Sequence, residues 1–216
     1  MKIAVLGTGM VGNTIGTKLV QLGHEVQMGS RSAGNAKAQE WAAKNGAKAS
    51  VGSFEEAVTF GELVFLATKG DATLDVIQLA RPENFKGKIV VDITNPLDFS
   101  KGMPPFLIPE LSNTNSLGEE VQKRLPDAWV VKTLNTMNCG TMVNPSNVNG
   151  DSDVFLSGNS AEAKAKVTQL LQSFGWRSPI DLGDISTARG TEQLLPIWVR
   201  LYGALQTPYF NFKIVK

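Results

Sequence analysis

The chain is poor in the residues that build disulfides and metal centres. Among its 216 residues there is one cysteine, Cys139, and one histidine, His24. A single cysteine excludes an internal disulfide and fits a reducing compartment. One residue of each kind cannot form the clustered His/Cys set that a metal site needs. Charge of one sign is also lacking, with 21 Lys and Arg against 20 Asp and Glu. That balance gives no electrostatic footprint for nucleic acid or an anionic membrane, so neither is expected as a partner. No apolar run approaches the roughly 18 residues of a membrane span. The N-terminal run Ile3–Leu6 is too short for a signal peptide and ends in glycine. A cytoplasmic protein is expected.

Hydrophobic residues make up 42% of the chain, enough for the core of one large α/β domain. Short apolar runs recur at Ile3–Leu6, Val26–Met28, Leu63–Ala67, Ile89–Ile93, Trp129–Thr133, Val154–Ser157 and Ser178–Leu182. Most are apolar throughout, as strands covered on both faces are. Helical patterns lie between the first runs near 11–22, 35–45, 53–60 and 72–80, and a further one covers 161–174. Ser186 is placed to cap a last helix reaching about Gln206, with a kink at Pro196. The alternation predicts an α/β fold: a Rossmann-type, doubly wound, mostly parallel sheet with added C-terminal strands and a C-terminal helix. The stretch from Asn95 to Asn115 is rich in Pro, Ser and Asn and reads as a long loop, a candidate wall or lid.

The informative motif is Gly7-Thr8-Gly9-Met10-Val11-Gly12. A lone G-x-G-x-x-G is weak, but this one follows an apolar strand and opens a helix, the context that dinucleotide binding requires. Gly7 permits the tight turn, Gly9 lets a pyrophosphate approach the backbone, and Gly12 lets helix and strand pack closely. The second strand should then select the dinucleotide. An NAD site places Asp or Glu about 20 residues beyond the glycines. Here no acid occurs between Val26 and Gln39; Ser30, Arg31 and, further on, Lys37 stand there instead. A hydroxyl and a guanidinium suit a 2′-phosphate, so NADP(H) is the expected cofactor.

Three loops at the carboxyl ends of strands should line the nicotinamide crevice: Thr68-Lys69-Gly70, Thr94-Asn95-Pro96 and Leu134-Asn135-Thr136. Asn95 and Asn135 either hydrogen-bond the cofactor or stabilise their own loops. Carbonyl reduction needs a proton donor beside the hydride. His24 lies at the wrong end of the sheet, Tyr202 and Tyr209 lie near the C-terminus, and Lys69 and Lys132 are the remaining candidates. Transfer to a flavin-like ring asks for little beyond two rings held face to face, which suits this sequence better. Cys139 reads as a small wall residue.

These residues resemble the NADP oxidoreductases that use a deazaflavin coenzyme, and the cytosolic reductase domain of the STEAP metalloreductases. The likeness spans nearly the whole chain. It rests on the glycine loop with Leu22-Gly23-His24-Glu25-Val26 and Gly29-Ser30-Arg31, on Val91–Pro96, on Val131–Asn135, and on Pro179–Gly183 followed by Ser186–Arg189. The resemblance implies hydride transfer between NADPH and a deazaflavin or flavin, and a homodimer joined partly by the C-terminal helix. It implies that Thr8, Ser30 and Arg31 hold the 2′-phosphate. Gly9, Met10 and Val11 would offer backbone N–H groups to the phosphates, and Ala67, Thr68 and Asn135 would flank the nicotinamide. Asn35 stands where deazaflavin enzymes carry a lysine, with Lys37 nearby as a substitute. The metalloreductases continue into membrane helices, so this chain is expected to carry no haem and to move no electrons across a bilayer.

The expectation is therefore an NADPH-dependent reductase with FMN, FAD or deazaflavin as acceptor. Residues 1–140 would hold NADP, and 141–216 would extend the sheet and supply the acceptor site and dimer contacts. Phe99 and Phe106 would wall the second ring. Two rivals are a reductase of imines or small carbonyls and a non-catalytic NADPH-binding redox sensor. The last helix, with Leu194, Leu195, Ile197, Trp198, Leu201 and Leu205, is either a dimer seam or packed on its own sheet.

Overall fold

The computed structural model describes residues 1–216. The glycine-ended run forms β1 (Lys2–Leu6), and the helix it feeds is α1 (Met10–Gln21). Then come β2 (Glu25–Ser30), α2 (Ala36–Asn45), β3 (Ala49–Ser53), α3 (Phe54–Phe60), β4 (Leu63–Leu66), α4 (Thr73–Leu79) and β5 (Ile89–Asp92). A small hairpin, β6 (Leu97–Asp98) and β7 (Phe106–Leu107), breaks up the long loop. It leads to α5 (Leu117–Arg124), β8 (Trp129–Thr133), α6 (Cys139–Val143), β9 (Phe155–Ser157), α7 (Ala161–Phe174), β10 (Ile180–Asp181), α8 (Ala188–Gln193) and α9 (Leu195–Leu205).

The main sheet has the order β10-β9-β8-β5-β4-β1-β2-β3. From β3 to β8 every pair is parallel; β9 joins β8 antiparallel, and β10 runs parallel to β9. This is the Rossmann-type sheet with added C-terminal strands that the alternation predicts. Side chains alternate between its two faces. On one face Ile3, Val5, Val91 and Val131 pack with residues of α1, α2, α6 and α7. On the other Ala4, Leu6, Val90 and Val130 pack with α3, α4, α5 and α8. Both faces being covered explains why the central strands are apolar throughout.

Several expectations need correction. The edge strand β3 does not announce itself, because Ala49-Ser50-Val51-Gly52-Ser53 has no apolar run. The helix α5 carries charge at four of its eight positions and shows only Leu117 and Val121 to the core. The strand expected over Ser178–Leu182 is just two residues long. Pro196 does not kink one long helix: the helix stops at Gln193, and Pro196 sits in the first turn of α9, where its missing N–H costs nothing. Ser186 is no cap either; it donates its backbone N–H to the Asp184 side chain, which caps that turn. No helix is long and apolar enough to cross a membrane.

The turn after β1 and the first turn of α1 are in close contact. A Cβ on Gly12 would overlap the carbonyl oxygen of Gly7. Gly12→Ala is therefore expected to cost about 3 kcal/mol, read as a lower urea midpoint at unchanged slope.

Candidate active site

At the turn after β1, Gly7 has φ +126°, a region that L side chains avoid. Gly9 differs in kind. A Cβ there would meet nothing within 4 Å, so bare backbone fronts open space. Gly9 also begins α1 with no side-chain cap, and the first turn holds no acid. The N–H groups of Met10, Val11 and Gly12 thus keep their partial positive charge for an anion. The start of α3 shows the contrast: Ser53 and Glu56 form a capping box, and Glu55 and Glu56 fill the first turn. The cradle at Gly9 fits a dinucleotide's pyrophosphate. Asn13, which the sequence reading passed over, braces it by donating Nδ2 to the carbonyls of Thr8 (3.1 Å) and Gly9 (3.2 Å).

The tip of β2 carries the second group of expected residues. Ser30 is buried and its Oγ donates to the Ser32 carbonyl at 2.6 Å. Arg31 is exposed, and the arginine ion pairs of the structure involve Arg81, Arg177 and Arg189 instead. Its guanidinium is therefore free for a ligand. Lys37 borders a groove between α1 and α2 together with Thr8 and Gly9, a groove that neither Ser30 nor Arg31 lines. Asn35 spends its side chain on the helix, accepting from the Ala38 amide at 3.1 Å.

Beyond the glycine turn lies a cavity of about 290 Å³. Met10 and Val11 form its near edge, Thr68 and Lys69 one side, Asn95 and Asn135 its floor, and Met137, Cys139 and Met142 the far side. Leu195 and Trp198 of α9 close it, and both were missed as site residues. Trp198 is held between Tyr202 (centroids 5.9 Å) and Phe210 of the tail (5.2 Å). Phe99 borders the cavity, but Phe106 does not; it lies exposed on the hairpin beneath the Lys101 ammonium. Ala67 stands behind this cavity, its carbonyl facing Gly7.

The two asparagines are spent on each other. Asn95 Nδ2 donates to the Asn135 carbonyl (2.8 Å), and Asn135 Nδ2 donates to Asn95 Oδ1 (2.9 Å). These bonds tie the two loops together at the cavity wall. The preceding residue, Leu134, is buried with φ +61°, a strained conformation that costs on the order of 1 kcal/mol.

Lys132 is no exposed proton donor. It is 1% exposed, and its ammonium donates to Asp92 (3.0 Å), to the Thr94 carbonyl (2.6 Å) and pairs with Glu192 (2.8 Å). Asp92 Oδ1 accepts from the Thr94 amide and hydroxyl. Glu192 accepts from the amides of Leu117 and Gly118 at the start of α5. Burial alone would pull the Lys132 ammonium down; the two carboxylates outweigh it and hold the group protonated. Burial pushes Glu192 above the ordinary carboxylate range, against the pull of Lys132.

The family model described as "NADP oxidoreductase coenzyme F420-dependent" matches residues 2–96. The F420-dependent NADP reductase of Methanocaldococcus jannaschii is 31% identical over 211 residues, 93% of this chain and 92% of the relative. The chain belongs to the coenzyme F420-dependent NADP oxidoreductase family. It is an NADP-dependent oxidoreductase, and NADP(H) and the deazaflavin F420 are the family's cofactors. A candidate F420-dependent NADP-reductase from Arthrobacter sp. FB24 has a crystal structure with TM-score 0.94 and 50% identity, and all of both chains is covered. Rat metalloreductase STEAP3 is 29% identical over 202 residues, 91% of this chain. The chain spans only 38% of that relative's length. An imine reductase of Streptomyces aurantiacus shares 20% identity at TM-score 0.66, which shows a common fold and no more.

The open space at Gly9 gives a clean test of the cradle. Gly9→Ala is expected to leave the urea midpoint near wild type, because the methyl meets no protein atom. It should weaken NADPH on the order of tenfold in a fluorescence titration, since the methyl occupies the approach to the backbone.

Proposed function

We propose that this family member transfers hydride between NADPH and a planar flavin-type acceptor, with a deazaflavin first and FMN or FAD next. The observation that carries the reading is a crevice that runs from an uncapped helix start to a mostly apolar cavity. Lys69 and Asp71 at the exposed rim and the wall thiol Cys139 are the cavity's ionisable groups. Such a site can orient and desolvate two rings, and it offers no buried acid for carbonyl reduction. The names of the archaeal relatives support the same acceptor class. NADPH supplies the hydride when bound.

In this reading Gly7, Thr8, Gly9, Met10, Val11 and Gly12 receive the pyrophosphate with their backbone. Arg31 holds the 2′-phosphate, joined by Ser30 if its hydroxyl turns from Ser32, and Lys37 adds positive charge from the neighbouring groove. Ala67, Thr68, Lys69, Asn95 and Asn135 flank the nicotinamide. Residues 1–140 thus carry the nucleotide half, and 141–216 add Met142, Leu195 and Trp198 on the acceptor side. Cytoplasmic work with a free Cys139 belongs to the same proposal.

Arg31→Glu is the direct test of coenzyme choice. A charge-assisted bond of about 1.5–3 kcal/mol implies a 10- to 100-fold rise in the NADPH dissociation constant, with NADH changed far less. Equal losses for the two coenzymes would remove Arg31 from the phosphate site. The acceptor class is checked by following NADPH oxidation with FMN, FAD, deazaflavin, a cyclic imine and ferric chelates. Fast turnover with the imine and none with any flavin or deazaflavin would overturn the reading.

A homodimer is the remaining part of the proposal. On α9, Ile197, Tyr202 and Leu205 are 46%, 43% and 52% exposed, which is unusual for three large apolar side chains on one short helix. Leu205→Glu is expected to convert a dimer to a monomer in sedimentation velocity. A monomeric wild type would end this part.

A further inference from the structure

We infer that Lys132 is a positioning residue: from the far face of the sheet it turns one backbone N–H, that of Asn95, into the cavity as a hydrogen-bond donor for a carbonyl oxygen on a bound planar ring. The inference rests on the reading of the cavity as the ring-binding end of the crevice.

The two faces of the sheet supply the argument. Asp92 and Lys132 are direct neighbours in the β5–β8 register, so their side chains share a face. That face is the one packed with α5 and α8, as Val90 and Val130 show two residues earlier. The cavity lies on the other face, where Ile93, Met137, Cys139 and Met142 belong to the opposite core. The Thr94–Asn95 peptide bridges the two. Its carbonyl oxygen is gripped by Lys132 at 2.6 Å on the charged side. In a planar trans peptide the N–H points opposite to the C=O. The Asn95 N–H is thereby sent to the cavity side, where Asn95 forms the floor.

That N–H donates to no acceptor in the protein. Its residue's side chain is held on Asn135 through Oδ1 and one Nδ2 hydrogen, which fixes the residue at the cavity wall. Asn95 is half-buried at the cavity wall, so its N–H is left to solvent or to a ligand in the cavity. The matching ligand group is an amide-type carbonyl oxygen. Both the nicotinamide carboxamide and the pyrimidine edge of a flavin carry one, and the experiment separates them.

Protein labelled with ¹⁵N-asparagine is titrated with NADPH in one arm and with FMN in the other. The Asn95 amide resonance is assigned by its loss in Asn95→Asp. It is expected to move downfield with the ligand that accepts the bond. Two variants then separate position from bulk stability. Lys132→Met combined with Glu192→Gln removes one charge of each sign and frees the Thr94 carbonyl. Glu192→Gln alone keeps the Lys132 bond to Thr94. Both should lose stability, but only the double variant should lose the ligand-induced shift, with the KM of that ligand raised about 2- to 10-fold.

An Asn95 amide that moves with neither ligand overturns the inference, and NADPH-dependent reduction of flavin would then still uphold the functional reading. Equal behaviour of the two variants overturns it as well. If no flavin or deazaflavin is reduced but NADPH moves the resonance, the acceptor reading falls and the positioning role of Lys132 stands.

Discussion

The buried ammonium of Lys132 is the interaction on which the arrangement of the site depends. It joins β5, β8, the start of α5 and α8 at a single point, through two carboxylates and one carbonyl. Taking such charges out of water is expensive, and the pairing recovers that cost only when every remaining lone pair and proton finds a partner. Here all three ammonium protons are used, and each carboxylate accepts three bonds: Asp92 also receives two from Thr94, and Glu192 two from amides of α5. An apolar trio of the same volume would hold these elements together with less electrostatic cost. It would not fix the direction of the Thr94 carbonyl, and α8 leads directly into α9, whose Leu195 and Trp198 close the cavity.

A second organising contact lies outside, between α5 and α8. Arg189 meets Glu119 through two nearly parallel bonds of 2.8 and 2.6 Å. The Glu119 carboxyl is held below its ordinary range first by that guanidinium, with burial opposing. Its contribution is therefore present above the unfolded carboxylate value and fades as pH falls through the lower, folded one. With Arg189 more than a third exposed, screening keeps the pair modest. It acts as a guide for α8 more than as a source of stability.

Much of this was legible in the chain. The glycine fingerprint worked because its strand and helix context could be read on either side of it. The parallel sheet with helices on both sides followed from apolar runs that are buried on both faces. What stayed hidden had weak or ambiguous local signals. The helix α5 is mostly charged, although Ser116 followed three residues later by Glu119 is a capping signature that marks its start. Lys132 read as a possible donor because exposure cannot be seen in a sequence. The matching signal was present, though: an aspartate and a lysine each end an apolar Val-Val run, on strands that become neighbours. Trp198 and Leu195 could not be placed over the cavity, because that depends on how α9 turns at Leu194. Asn95 and Asn135 read as cofactor ligands or loop braces; their mutual bonds show the bracing, and both still line the cavity.

The loops at the ends of the strands are nested through missing side chains. Gly7 lies against the Ala67 carbonyl and Gly70 against the Asn95 carbonyl. The mould for the nucleotide is thus cast largely in main chain. The outer wall of the cavity, by contrast, is made of side chains. In the proposed reading, the grip on the coenzyme and the fit to the acceptor can then change separately. A single scaffold of this kind can pass from one electron partner to another without relearning how to grip its coenzyme.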